Sequence, residues 1–287
     1  MIEKKYSSFD VGVIIISAII SVLLLMPLLY VIANAFSNPV LVYSGKVGFF
    51  PKEFTFKNLT DVFAEKTILR GFKNTIIYTV SGTVVQVALQ FSVGYPLSRK
   101  DLRGKKFFNI FFSLPMFISG GMIPTYLVVK TLGMLNTIWA LVIPGCLGLY
   151  NVIIIRTYLA SSIPYELTEA SMIDGCSPLQ TFFRVILPCC KPILCVMALF
   201  AIVGYWNSYF NSIIYTTNEE VWPLQRVLAR LLVKTESSGS LGSAENLKRA
   251  AGLKYAVILV SSLPLLAIYP VFQKYFEKGF MVGSIKG

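Results

Sequence analysis

The run VGVIIISAIISVLLLMPLLYVIANAF, residues 11–36, contains no charged side chain. A helix rises about 1.5 Å per residue, so a stretch of about 20 apolar residues crosses a hydrocarbon layer about 30 Å thick. This run is long enough to cross. Because it follows the short segment MIEKKYSSFD, it superficially has the form of a secretory leader. A leader, however, has a shorter apolar core and a small-residue cleavage site. This run continues too far and has no such site, so it reads as a retained first helix.

Five more predominantly apolar runs follow. Six spans are expected, at roughly 11–36, 72–97, 107–129, 138–158, 192–214 and 254–272. The composition agrees: 55% of the 287 residues are hydrophobic and 14% are charged, against roughly 25% charged in soluble domains. The expected fold is an all-α integral membrane protein, with residues 1–287 forming one transmembrane domain. Pro27, Gly94, Pro96, Pro115, Gly120, Gly121, Pro144, Gly204 and Pro264 fall inside the runs. They do not exclude helix there, because neighbouring helices can satisfy freed backbone groups. Gly120-Gly121 and Gly204 are expected to permit close helix approach.

The net charge is +12 and there is no histidine. The basic residues lie between apolar runs, which indicates topology and contact with anionic headgroups rather than nucleic acid. Raw Lys and Arg counts tie between the two sides. The short segment 98–106 breaks the tie, since five of its nine residues are basic and short loops carry the rule. Both termini are therefore expected on the cytoplasmic side. On the outer side, FKNLTDVFAEKT suggests a short interfacial helix near 57–66, capped by Asn58 or Thr60. WPLQRVLARLLVK, from Trp222, has Leu224, Val227, Leu228, Leu231 and Leu232 at helical spacing, which suits a surface helix. SSGSLG at 237–242 reads as a connector. The five cysteines, Cys146, Cys176, Cys189, Cys190 and Cys195, form no C-x-x-C pair, so neither a disulfide framework nor a zinc site is expected.

The span interiors hold no Asp, Glu, Lys, Arg or His. Such residues mark proton relays and voltage sensors. A sodium-coupled carrier using backbone carbonyls passes this test but usually carries paired repeats with broken helices, and no repeat is visible. The chain has no G-x-x-x-x-G-K-[ST] phosphate loop, no H-E-x-x-H and no G-x-S-x-G. ATP hydrolysis, metalloprotease chemistry and serine hydrolysis are therefore not expected of it.

The most informative segment is SSIPYELTEASMIDGCSPLQTFFRVILPCCKP, residues 161–192, which covers nearly all of the inner loop 159–191 between the fourth and fifth spans. Ser162 is positioned to cap a helix with Pro164 in its first turn. Glu166 and Glu169 sit where the helix dipole favours acid. Ile163, Leu167 and Ala170 share one face, and Gly175 supplies a left-handed stop. A second short helix is expected from Pro178, carrying Phe182, Phe183 and Ile186 and breaking before Pro188. Asp174 either caps it or satisfies donors in the turn. Pattern alone leaves two readings: a protein-docking element, or an amphipathic helix resting on the inner leaflet.

Glu169-Ala170-Ser171-x-x-Asp174-Gly175, then an aromatic at Phe182 or Phe183, then Ile186-Leu187-Pro188 and Pro192, resembles the EAA signature of type I ATP-binding-cassette importer permeases. Ser171 stands where that family usually has a second Ala, and Cys176 where it has a small residue. The resemblance implies a coupling helix seated in a groove of a separate ATPase. Glu169 would then pair with a basic groove residue, Leu167, Ala170 and Ile173 would make apolar contact, and Asp174 and Gly175 would fix the turn. It also implies a second homologous permease subunit, two cytoplasmic ATPase subunits that bind ATP and Mg, and an extracytoplasmic solute-binding protein, with no cofactor in this chain.

ALFAIVGYWNSYFNSIIYT at 198–216, WPLQ at 222–225 and the ending QKYFEKGFMVGSIKG look like the carbohydrate permeases of that family, in particular the second permease of oligosaccharide importers. By this reading Tyr205, Trp206, Asn207, Tyr209 and Asn211 belong to the substrate path, since aromatic faces and neutral hydrogen-bonding groups suit an uncharged sugar. The same residues could instead form an interfacial aromatic belt and join helices. The competing functions are import of a peptide, amino acid or polyamine, an ATPase-independent channel or sodium-coupled carrier, and a non-transporting scaffold.

Overall fold

A computed structural model describes residues 8–237 and 244–284. All regular elements among these residues are helical. Residues 238–242 of the expected connector and the Lys286-Gly287 end of the tail lie outside the described residues.

Among the described residues, three helices are long and apolar enough to cross a membrane: Phe9–Ala35, Lys66–Ser98 and Glu245–Gln273. A fourth crossing arises if the bent pair Pro178–Cys189 and Lys191–Trp206 counts as one span. The expected runs 107–129, 138–158 and 192–214 are not continuous helices. The first divides into Lys105–Ser113, a 3-10 turn Leu114–Met116 and Met122–Thr131. The second divides into Ile138–Val142 and Leu149–Ser162. The third divides into Lys191–Trp206 and Tyr209–Tyr215.

The breaks have local causes. Pro27 and Pro96 are tolerated inside long helices. Pro115 falls instead in the 3-10 turn, and Gly121 takes φ +84° just beyond it. Gly145 and Gly148, at φ +78° and +47°, flank the break after Pro144. A left-handed residue ends the helical hydrogen-bond ladder. Gly120-Gly121 and Gly204 therefore do not have the role expected of them: a Cβ at any of the three would meet no atom within 4 Å. Close approach is made at Gly94, whose added Cβ would lie 2.8 Å from Ile155 Cγ2.

The chain divides into two compact units. The first contains residues 1–69 and 227–264. In it Ala33, Val42 and Val47 form a small core against Leu41, Ala251 and Tyr255. The helix expected near 57–66 is present as Lys57–Ala64, but neither Asn58 nor Thr60 caps it. Asn58 is buried and donates to the carbonyls of Ala35 and Ser37 at 3.0 and 2.8 Å. Thr60 turns back to the Lys57 carbonyl. Asn58 therefore closes the C-terminal end of the first long helix, where carbonyls have no intrahelical partner.

The second unit contains residues 70–226 and 265–287. Its main core joins Phe91 and Tyr95 of Lys66–Ser98, Ile155 and Leu159 of Leu149–Ser162, and Phe182, Ile186, Cys190, Ile193 and Met197 of the bent pair. A second cluster of Val129, Ala140 and Tyr215 gathers three of the broken pieces. Asn136, at φ +59°, accepts from the backbone N–H groups of Thr217 and Asn218. The Arg226 guanidinium lies 4.1 Å from the Trp222 ring centroid and donates to the carbonyls of Ser212 and Thr216. It thereby supplies the missing donors at the end of Tyr209–Tyr215.

Candidate functional site

Within the second unit, helix Leu149–Ser162 ends at Ile163, which is extended at φ −106° and ψ 112°. Pro164 requires this, since a residue before proline is pushed out of the helical region. Ser162 is thus the last residue of one helix and not the cap of the next. The loop helix Glu166–Ile173 follows Tyr165, which makes no side-chain cap.

Its C-terminal end is as expected. Gly175 has φ +80°. The Gly175 N–H donates to the Met172 carbonyl at 3.0 Å and the Cys176 N–H to the Ser171 carbonyl at 2.9 Å. This reciprocal pair is the Schellman stop. Asp174 does not cap the second helix. Ser177 does, in a capping box: its hydroxyl accepts from the Gln180 N–H while the Gln180 side chain accepts from the Ser177 N–H. The signal was present in sequence as S-x-x-Q before an apolar stretch.

The second helix runs on through Pro188 to Cys189, with a π-helical stretch over Thr181–Ile186. Pro188 is the next-to-last residue of that helix, so its missing N–H removes one bond of the last turn only. The chain bends instead at Cys190, by 84°. Tyr95 and Phe182 lie with ring centroids 4.9 Å apart. The elbow is therefore packed against two other helices.

The loop helix faces the opposite way from a core helix. Its buried residues are polar, Thr168 and Ser171, at 5% and 4% exposure. The Ser171 hydroxyl lies 2.9 Å from the Thr181 hydroxyl, so the two satisfy each other under the helix. Leu167, Met172 and Ile173 face outward, with Ile173 86% exposed. Glu169, Ala170 and Asp174 are exposed on the same element. Ile163 is half-buried before the helix and does not share its face with Leu167 and Ala170.

Behind this helix lies a pocket of about 360 Å³, lined by Tyr95, Ser98, Arg99, Lys100, Ser162, Tyr165 and Glu166 among others. Arg99 and Asp101 form a two-pronged pair at 2.8 and 2.5 Å. The hydrogen bonds from Arg99 hold the Asp101 carboxyl below the usual carboxylate range, because they favour its charged form.

The expected path residues separate into two groups. Tyr205 and Trp206 are buried at 8% and 3% exposure. The Tyr205 hydroxyl donates to the Val142 carbonyl at 2.8 Å, and Trp206 packs edge-on against Phe72. Asn207 and Tyr209 are exposed and Asn211 is half-buried, at the break between Lys191–Trp206 and Tyr209–Tyr215. Among the described residues, no group of His, Cys, Asp or Glu could hold a metal ion.

Comparison with known proteins extends this picture. Residues 91–282 match the family described as binding-protein-dependent transport system inner membrane component. The chain is 38% identical to Protein LplC of Bacillus subtilis, covering 97% of this chain and 95% of the relative. It is 36% identical, over 100% of both chains, to the polygalacturonan/rhamnogalacturonan transport system permease protein YtcP of the same organism. A chain from a bacterial ABC transporter involved in the import of the acidic polysaccharide alginate superposes with a TM-score of 0.86 at 28% identity, covering 95% of this chain and 99% of the other.

Proposed function

The chain belongs to the family of binding-protein-dependent transport system inner membrane components, the permease subunits of ABC importers, and from that premise we propose that it forms one half of the translocation path for a carbohydrate, specifically an oligosaccharide. Support for the substrate comes from a relative named for pectic polysaccharides and a structural neighbour involved in alginate import.

The observation that carries the coupling role is the reversed loop helix, which buries Thr168 and Ser171 and turns Leu167 and Ile173 outward beside Glu169. Exposed apolar groups on a rigid element call for a partner. In this proposal the partner is a cytoplasmic ATPase. Leu167, Ala170 and Ile173 fill its groove, Glu169 meets a basic residue there, and the Asp174-Gly175 stop fixes the angle. The elbow packed on Phe91, Tyr95, Ile155 and Leu159 would carry ATPase closure into the spans as rocking of packed helices. ATP favours one docked arrangement over the other, which is what allows docking to do work.

The proposed topology has six spans, three of them broken, with both termini and the loop on the cytoplasmic side. A second homologous permease, two ATPase subunits that bind ATP and Mg, and an extracytoplasmic solute-binding protein complete the assembly. Asn207, Tyr209 and Asn211 are the accessible candidates for the sugar path, and Tyr205 and Trp206 support that break from behind.

The test is co-purification in mild detergent with uptake of labelled oligosaccharide by cells, comparing wild type with Glu169→Lys. Wild type should bring down an ATPase and support uptake, and the variant should lose both. Wild type that brings down no ATPase, or uptake that persists after the chain is deleted, would refute the proposal.

A further inference from the structure

The pocket behind the loop helix has no part in the coupling role, and its chemistry points to a ligand of its own. Two helix ends form it: Tyr95, Ser98, Arg99 and Lys100 from the end of Lys66–Ser98, and residues 159–166 from the end of Leu149–Ser162 onward. Its volume of about 360 Å³ is many times the roughly 30 Å³ that one water occupies in the liquid. We infer that this pocket binds a phosphate group, supplied by the headgroup of an acidic phospholipid of the adjacent leaflet or by phosphate from solution.

Three features support this. The first is charge. Arg99 and Lys100 line the pocket against one carboxylate, Glu166. Asp101 is taken up by Arg99. Lys105 sits under the rim with its ammonium on the carbonyls of Ser98 and Arg99, and Arg103 adds to the field from the same loop. Lys100 is held 5.5 Å from the Tyr165 ring centroid, which fixes its position without neutralising it.

The second is an unused donor. Tyr95 is only 9% exposed and lines the pocket. Its hydroxyl lies near the Arg99 guanidinium yet makes no well-formed hydrogen bond with any protein atom. Buried hydroxyls are normally satisfied. A phosphate oxygen between Tyr95, Arg99 and Lys100 would satisfy it, with charge-assisted bonds from the two cations.

The third is location. A basic pocket between two helix ends on the cytoplasmic side is where anionic headgroups collect. This part rests on the cytoplasmic placement proposed above. The consequence would be regulatory, since Ser162, Pro164, Tyr165, Glu166 and Thr168 belong both to the pocket wall and to the root of the loop helix. A bound headgroup would brace that root.

The test uses the assembled importer in phosphatidylcholine nanodiscs with a trace of headgroup-photoactivatable phosphatidylglycerol or phosphatidylcholine. Labelled peptides are mapped, and ATPase co-purification is measured on the same sample. Labelling over residues 95–100 and 159–166 should favour phosphatidylglycerol. It should fall about fivefold in Lys100→Ala, the effect of one lysine near an anionic surface. It should also fall in Tyr95→Phe, which keeps the ring against Phe182, while Lys106→Ala on the same loop leaves it unchanged. Equal labelling by both lipids, or an equal drop in Lys106→Ala, overturns the site. If millimolar inorganic phosphate in phosphatidylcholine discs shields Lys100 from amine modification and phosphatidylglycerol does not, the anion site stands and the lipid source is overturned. A missing ATPase in the preparation marks failure of the importer reading, whereas an intact complex with uniform labelling marks failure of this site alone.

Discussion

Helices Lys57–Ala64 and Glu166–Ile173 have eight residues each and no side-chain cap at either N-terminus. They do opposite things with their side chains. The first buries Val62 completely and inserts Asn58 between carbonyls of its own unit. Its Asp61 receives a two-pronged bond from Arg249 at 2.9 and 3.2 Å. The second buries two hydroxyl residues and leaves its larger apolar groups in the open. A short helix cannot persist on propensity alone, so each needs tertiary support. Helix Lys57–Ala64 gets it from its own chain. The loop helix has only a narrow polar seam and a Schellman stop, and its apolar face is available for another protein.

Substitutions can break this contrast, and the largest effect is expected at the loop. Glu169→Lys should weaken ATPase retention by at least tenfold, consistent with about 2–5 kcal/mol for truncating one partner of a docked charge pair. The melting temperature of the isolated permease should stay unchanged. An equal loss of both would mean that Glu169 serves the fold.

Helix Lys57–Ala64 should respond in the reverse sense. A Cβ at Gly252 would lie 2.2 Å from the Asn58 side-chain oxygen, and Asn58 cannot move without freeing the carbonyls of Ala35 and Ser37. Gly252→Ala and Asn58→Ala should each cost about 1–3 kcal/mol in unfolding experiments, with ATPase retention intact. Gly175→Ala comes next. Its φ of +80° is strained for any L side chain, so a loss of about 1 kcal/mol is expected. Transport should fall with it, because the docking angle changes. The smallest effects sharpen the comparison. Arg249→Ala should cost under about 1 kcal/mol, because half-exposed ion pairs contribute little. Ile173→Ser should alter stability by less than about 0.5 kcal/mol while reducing ATPase retention severalfold.

Several features were legible from sequence because they depend on few residues. Gly175 was identifiable as a left-handed stop from its place after a short helical pattern, and the structure puts it at φ +80°. The helix near residues 57–66 and the long helices around 11–36 and 72–97 were visible as periodicity or apolar length. Other features depended on what surrounds a residue. Asn58 looked like a helix cap and is a brace, because the Ala35 carbonyl that it bonds lies far away in sequence. Asp174 and Ser177 are both plausible caps, and the S-x-x-Q spacing decides for Ser177 because its capping box satisfies two backbone donors at once. Arg226 lies in the segment expected to form a surface helix, and its guanidinium closes the end of Tyr209–Tyr215.

By itself, the sequence determined that this chain is a helical membrane protein and that residues 161–192 hold its most specific element. Both follow from local quantities: the length of uncharged runs, and residue types at fixed spacing. The tertiary structure decided where three apolar runs break, which side of the loop helix faces outward, and that Tyr205 and Trp206 are packed away while Asn207 and Tyr209 remain accessible. Apolar composition cannot decide these points, because lipid, a helix of the same chain and a partner's groove all favour the same side chains. Only the positions of neighbouring atoms distinguish them.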